Sequence, residues 1–140
     1  MKKLMLIMFV VPAFFIISCA STLQVTDIDS WLTTKAAGVN ATANITGTWK
    51  DALNETDSFM SWGQGEWTQT GNIITGNISS YVIKGIMSGK TVYIVLYNGA
   101  KVDYTAKLEL KNNNELYGNY YSSRDPGQTK PTPMSFKKVK

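Results

Sequence analysis

The chain has 140 residues, 14 lysines and arginines against 10 aspartates and glutamates, 44% hydrophobic residues, one cysteine and no histidine. That length makes one domain of globular composition, and the missing histidine and second cysteine exclude a histidine-based triad, a thiol–imidazole pair, an imidazole-ligated zinc site and an internal disulfide. The formal net charge is +4, but setting Lys2 and Lys3 aside leaves +2; the remaining charges are scattered singly, with no basic patch interleaved with aromatics, which argues against nucleic-acid binding.

Lys2 and Lys3 form a short positive region, and Leu4 to Ile17 is almost wholly apolar. This run is short of the roughly 20 apolar residues that span a membrane and matches a secretory leader. Ile16-Ile17-Ser18-Cys19 follows, with an aliphatic residue three before the cysteine and a small residue directly before it. The segment resembles the lipobox of bacterial lipoproteins. That resemblance implies a signal peptide over 1–18 cleaved after Ser18, lipidation of the Cys19 sulfur, a lipidated tether over 19–27 and a single domain over 28–140. Two or three acyl chains anchor far more firmly than one, so the expected address is the cell envelope, with the membrane as partner. Ala20 rather than aspartate follows the cysteine, which favours the outer membrane in a Gram-negative host.

Ile28, Trp31 and Leu32 share one helical face. Thr26 with Asp29 fits a variant of the capping pattern and Gly38 suits the stop, so a short helix is expected over 28–37. Residues 39–44 are a loop. From Ile45 the period becomes two: strands are expected over 45–50 and 62–69, with 51–61 irregular between them. Ile73 to Ile78 and Tyr81 to Met87 are two more, or one long strand bent at Ser79-Ser80. Ser88-Gly89 is a turn into 90–97, and Asn98-Gly99 is the strongest hairpin signal in the chain, because both residues tolerate positive φ.

Residues 101–111 alternate cleanly: Val102, Tyr104, Ala106, Leu108 and Leu110 face one way, and Asp103, Thr105, Lys107, Glu109 and Lys111 the other. That is a strand with one buried and one wet face. On 90–97 both faces are apolar, and the orientation stays open. Asn112-Asn113-Asn114 turns into 115–122, a proline-containing loop covers 123–133, and 134–139 closes the chain. The count is about eight short strands joined mostly by tight turns. Their one buried face must be covered, and closing the sheet on itself does so without exposed edges. The expected fold is all-β: an antiparallel up-and-down barrel of about eight strands preceded by one short helix, its interior filled by side chains or holding one small ligand.

Gly47-Thr48-Trp49, at the first strand and shortly after the helix, resembles the Gly-x-Trp signature of the lipocalins, and avidins open similarly. The resemblance implies a calycin-like barrel with Trp49 plugging its closed end, a late cation packed across that ring, for which Arg124 is the only arginine, and a small hydrophobic ligand.

The aromatic strands supply candidates for a ligand site. A cavity lined by Trp67, Tyr81, Tyr104 and Tyr120 suits a flat or apolar molecule, with hydroxyls to orient it. The leading expectation is therefore an envelope lipoprotein whose barrel binds a small apolar or aromatic ligand. The alternative is a protein-interaction or inhibitor module, because Ser88-Gly89 with Tyr93 resembles the loop of envelope lysozyme inhibitors. Asp51, Glu55, Asp57 and Glu66 cluster near the first connection, but no spacing selects a catalytic pair. An enzyme is not expected, and no cofactor is implied.

Overall fold

A computed structural model describes residues 23–56, 60–123 and 131–139; the segment 1–18 expected to be a leader, Cys19 and Arg124 lie outside them. Eight strands run in chain order: β1 (Gly47–Asp51), β2 (Gln64–Thr70), β3 (Ile73–Ile78), β4 (Tyr81–Ser88), β5 (Thr91–Tyr97), β6 (Val102–Asn112), β7 (Glu115–Ser122) and β8 (Thr132–Lys138). Each pairs antiparallel with the next, and β8 pairs back onto β1 to close the barrel. The expected eight-stranded barrel with one short helix is the fold.

Alternation sends Trp49, Trp67, Ile74, Ile78, Ile83, Met87, Ile94, Leu96, Leu108, Leu116 and Phe136 inward, where they pack as one buried cluster. Small residues on the inner face let neighbouring strands bend close together. A Cβ added to Gly118 would lie 2.0 Å from the Lys107 carbonyl oxygen, and one added to Gly76 would lie 2.1 Å from that of Glu66. Glycine inside a strand marks such a close backbone approach.

Helix α1 (Ile28–Lys35) lies outside the barrel against β4 and β5. Ile28 and Leu32, one turn apart, bury against Ile86, Val95 and Val102, with Tyr93 and Tyr97 alongside. This settles β5: Val92, Ile94 and Leu96 point inward, and Tyr93, Val95 and Tyr97 lie outward beside the helix. A strand covered on both faces reads as a continuous apolar run. The helix stops at Lys35, two residues before the expected end, because Ala37 (φ 47°) and Gly38 (φ 66°) both take left-handed conformations that turn the chain away. Thr26 is not the cap; Asp27 holds that position without a side-chain bond to the helix.

The start of β6 departs from the expected alternation. Leu96 pairs with Tyr104 but Tyr97 pairs with Val102, so Asp103 is an extra residue in a bulge. Val102 is thereby directed to the helix side instead of the barrel interior. Asp103, expected on the wet face, is only 4% exposed, and its carboxylate accepts the Asn98 N–H at 3.2 Å, holding the Asn98-Gly99 turn. Residues 23–27, expected within the tether, are docked. Val25 N–H donates to the Ala100 carbonyl at 3.3 Å and Val102 N–H to that of Leu23 at 3.2 Å.

Substituting Gly118→Ala is expected to lower stability by about 1–3 kcal/mol, the usual cost of overpacking a filled interior. A urea unfolding curve checks this: the midpoint should fall, whereas an unchanged midpoint would show that β6 and β7 can separate freely.

Candidate functional site

The barrel has two different ends. The β2–β3, β4–β5 and β6–β7 turns, the start of β1 and the end of β8 make one; the β1–β2, β3–β4, β5–β6 and β7–β8 connections make the other.

The first end is closed by residues 39–46. This segment makes only an isolated bridge, through Asn40 and Thr42 to Gly89, so side-chain amides satisfy much of the rest of its backbone. Asn72 accepts the Ala41 N–H at 3.0 Å and donates to the Val39 carbonyl at 3.1 Å. Gln69 accepts the Ile45 N–H and donates to the Ala43 carbonyl, both at 2.9 Å. Ile45, fully buried, accepts the indole N–H of Trp49 at 2.7 Å. Trp49 stacks on Trp67 with centroids 5.7 Å apart, and the edge of Phe136 meets Trp67 at 5.2 Å. Lys138, the last residue of β8, places its ammonium 5.9 Å from the Trp49 ring centroid. A late cation therefore does lie over this tryptophan; Arg124, the expected one, is outside the described residues.

At the other end the inner faces of β4, β6 and β7 present Tyr81, Tyr104 and Tyr120. Trp62, from the β1–β2 connection, drops into their midst. Its ring lies 6.0 Å from Tyr81, 5.1 Å from Tyr104 and 5.0 Å from Tyr120, the last two edge-on. Tyr104 also meets Tyr81 at 5.5 Å and Tyr120 at 5.6 Å, again nearly perpendicular. Edge-to-face contacts of this kind add about 0.5–1.5 kcal/mol each beyond the area they bury. The four rings line a cup of about 270 Å³, with Asn54, Met60 and Thr132 at its rim.

Asp51 positions Trp62. It is the last residue of β1, points inward and is 2% exposed. One carboxylate oxygen accepts the N–H groups of Leu53 (2.8 Å) and Asn54 (3.2 Å), and the other that of Trp62 (2.8 Å). Gly63 (φ 72°) then turns the chain, and its carbonyl accepts the Asp51 N–H at 2.9 Å.

The structure brings together three of the four expected ligand residues. Trp67 is apart from them: it is 1% exposed, sealed against Trp49 and Phe136, and its indole donates to the Asn77 carbonyl at 3.1 Å. Trp62 takes the place expected for it. Alternation from Trp67 puts 65 and 63 on the inner face and 62 on the outer one, so the sequence pattern conceals Trp62; the left-handed Gly63 resets the parity.

The carboxylates near the first connection are engaged elsewhere. Glu66 accepts the Thr48 hydroxyl at 2.6 Å. Glu55 bridges Lys50 at 3.5 Å and also pairs with Lys137. The hydrogen bond from Lys137, helped by the charges of both lysines and opposed by desolvation, holds the Glu55 carboxyl below the ordinary 4.5. Asp57 is outside the described residues. The Ser88-Gly89 turn is built into the closed end: the Ser88 hydroxyl donates to the Ala36 carbonyl at 2.7 Å, and the Gly89 carbonyl accepts both the N–H and the hydroxyl of Thr42. Tyr93 lies among the residues beside the helix, with the Lys107 ammonium 5.9 Å from its ring.

In comparisons with known proteins, no family model, no curated protein and no solved structure matches this chain.

Asp51→Ala strips three part-buried N–H groups of their acceptor, and leaving groups of this kind unpaired costs at most about 1–3 kcal/mol. The variant is expected to unfold at lower urea and to shift tryptophan emission to the red as Trp62 loosens. Emission identical to that of the parent protein would show that Trp62 is held by its ring contacts alone.

Proposed function

We propose that this protein is a membrane-anchored lipoprotein of the cell envelope that holds a small apolar or aromatic molecule in the cup at the open end of its barrel. The observation that carries the reading is the convergence of Trp62, Tyr81, Tyr104 and Tyr120 around one depression. Small-molecule sites are concave and largely apolar, with a few polar groups that fix orientation. Here the rings supply the apolar surface and the tyrosine hydroxyls, each both donor and acceptor, supply the orientation. The volume is just under the roughly 300–1,000 Å³ of ordinary ligand pockets, which points to a ligand of about one ring or a short chain. The packed layer of Trp49, Trp67 and Phe136 keeps the ligand at the mouth rather than along the barrel axis.

The address comes from the leader and from Ile16-Ile17-Ser18-Cys19. The resemblance of Gly47-Thr48-Trp49 to the lipocalin opening supports the ligand class, as does a lysine over Trp49 late in the chain. The role is binding rather than catalysis.

Native mass spectrometry of residues 20–140, exported and purified from a bacterial host, tests the ligand directly. A co-purifying mass that is lost on denaturation is the expected result. Titration with the neutral fluorophore N-phenyl-1-naphthylamine provides the second arm. Saturable binding is expected, and Tyr104→Ala should weaken it by about two- to twelvefold, the equivalent of one aromatic contact of 0.5–1.5 kcal/mol. A bare mass together with no saturable fluorophore binding would overturn the proposal.

For the anchor, Cys19→Ala should move the full chain from the membrane fraction to the soluble one. Unchanged fractionation would show that the cysteine carries no lipid.

A further inference from the structure

Both ends of the barrel expose apolar side chains: Leu53, Met60 and Val82 near the cup, and Val39, Ile73 and Val139 near the closed end. Apolarity therefore does not decide which end would meet a membrane, but the route of the chain does. Leu23 and Val25 are fastened to Val102 and Ala100 in and beside the β5–β6 turn, which is at the cup end. Tyr104 of the cup stands two residues from Val102 on the same strand. Cys19 and Leu23 are only four residues apart, a separation of at most about 14 Å even fully extended. Strand β6 runs the length of the barrel in 11 residues, a height of about 28 Å at the usual rise and barrel tilt. A membrane holding the Cys19 lipid is thus within reach of the cup end and out of reach of the closed end.

We propose that the aromatic mouth is the membrane-docking end of the molecule, with its rim resting on the phospholipid interface. The inference rests on the lipoprotein reading above, which supplies the anchor at Cys19. The chemistry of the cup and its rim suits that occupant: four aromatic rings line it, and Met60 is exposed at its edge. Tryptophan and tyrosine settle at the headgroup level of a bilayer, where an apolar ring and a polar edge are both accommodated. Lys101, exposed in the β5–β6 turn, adds a cation facing anionic headgroups. In this orientation the cup opens onto the interface, and its ligand is an amphiphile drawn from the bilayer surface rather than a solute taken from water.

The test uses the full chain, processed in a bacterial host and reconstituted into phosphatidylethanolamine–phosphatidylglycerol vesicles that contain a brominated phosphatidylcholine. An intact mass first reports whether Cys19 carries lipid. Val82→Trp and Ile73→Trp each place a tryptophan at an exposed strand position, one by the cup and one by the closed end. Brominated lipid should quench the emission added by Val82→Trp severalfold and leave that added by Ile73→Trp unchanged. With lipid present on Cys19, equal quenching, quenching at Ile73→Trp alone or no quenching at either position overturns the orientation and leaves the anchor and ligand reading standing. An unmodified Cys19 removes the lipoprotein reading, and the orientation falls with it.

Discussion

Everything in this molecule depends on the pairing of β1 with β8. A meander of eight short strands has two edges, each a row of unsatisfied N–H and C=O groups, and only closure removes both. The seam is short: three register pairs, Trp49 with Lys138, Lys50 with Lys137 and Asp51 with Phe136. Two lysines directly opposite one another repel, and Glu55 reaches back from the β1–β2 connection to pair with both. One of the two inward pairs is a tryptophan and a lysine whose ammonium lies over the ring, so a charge at the barrel end is held against an aromatic face. The third pair ends in Asp51, whose carboxylate binds the backbone of the connection that follows. One residue of the seam, Asp51, is therefore also the residue whose side chain holds Trp62 at the mouth.

Closure fixes the barrel's width, and that width leaves room only for side chains in the middle. The ends differ because different groups cover them. At the closed end the 39–46 segment carries backbone groups inward, and Gln69 and Asn72 satisfy them with amides that accept and donate at once. Ile45 and Trp49 then fill the space beneath. At the mouth the equivalent volume is bounded by four aromatic rings in mostly perpendicular contact, which leaves a depression instead of a plug.

The architecture was legible because its signals are local. Alternation over 104–110, the Asn98-Gly99 turn and the Ile28–Leu32 pair each depend on neighbouring residues, and each has the expected partner in the structure. What escaped the sequence were shifts in register. The bulge at Asp103 and the left-handed turns at Ala37 and Gly63 each break the period that locates every later side chain. Asp103 pairs with a turn N–H and Asp51 with three loop N–H groups, bonds made across bends that no periodic pattern encodes. For the same reason Tyr81, Tyr104 and Tyr120 could be placed on inner faces from parity, whereas Trp62 could not.

A domain shaped by stability alone has no need of the mouth as it stands. Met60 is 67% exposed and Leu53 is 47% exposed, so neither adds much buried area. Trp62 makes its ring contacts from an irregular connection rather than from a strand, and Asp51, a buried charge, is committed to holding that connection in place. A buried carboxylate is stable only when well bonded, and among the described residues this one accepts from Leu53, Asn54 and Trp62, on the segment that carries Trp62 and the rim. Simpler solutions were open to the fold, as the closed end demonstrates with neutral amides. Departures from local economy of this kind concentrate where a protein does its work. Here they converge on the one end that carries both the aromatic cup and the docked N-terminal segment.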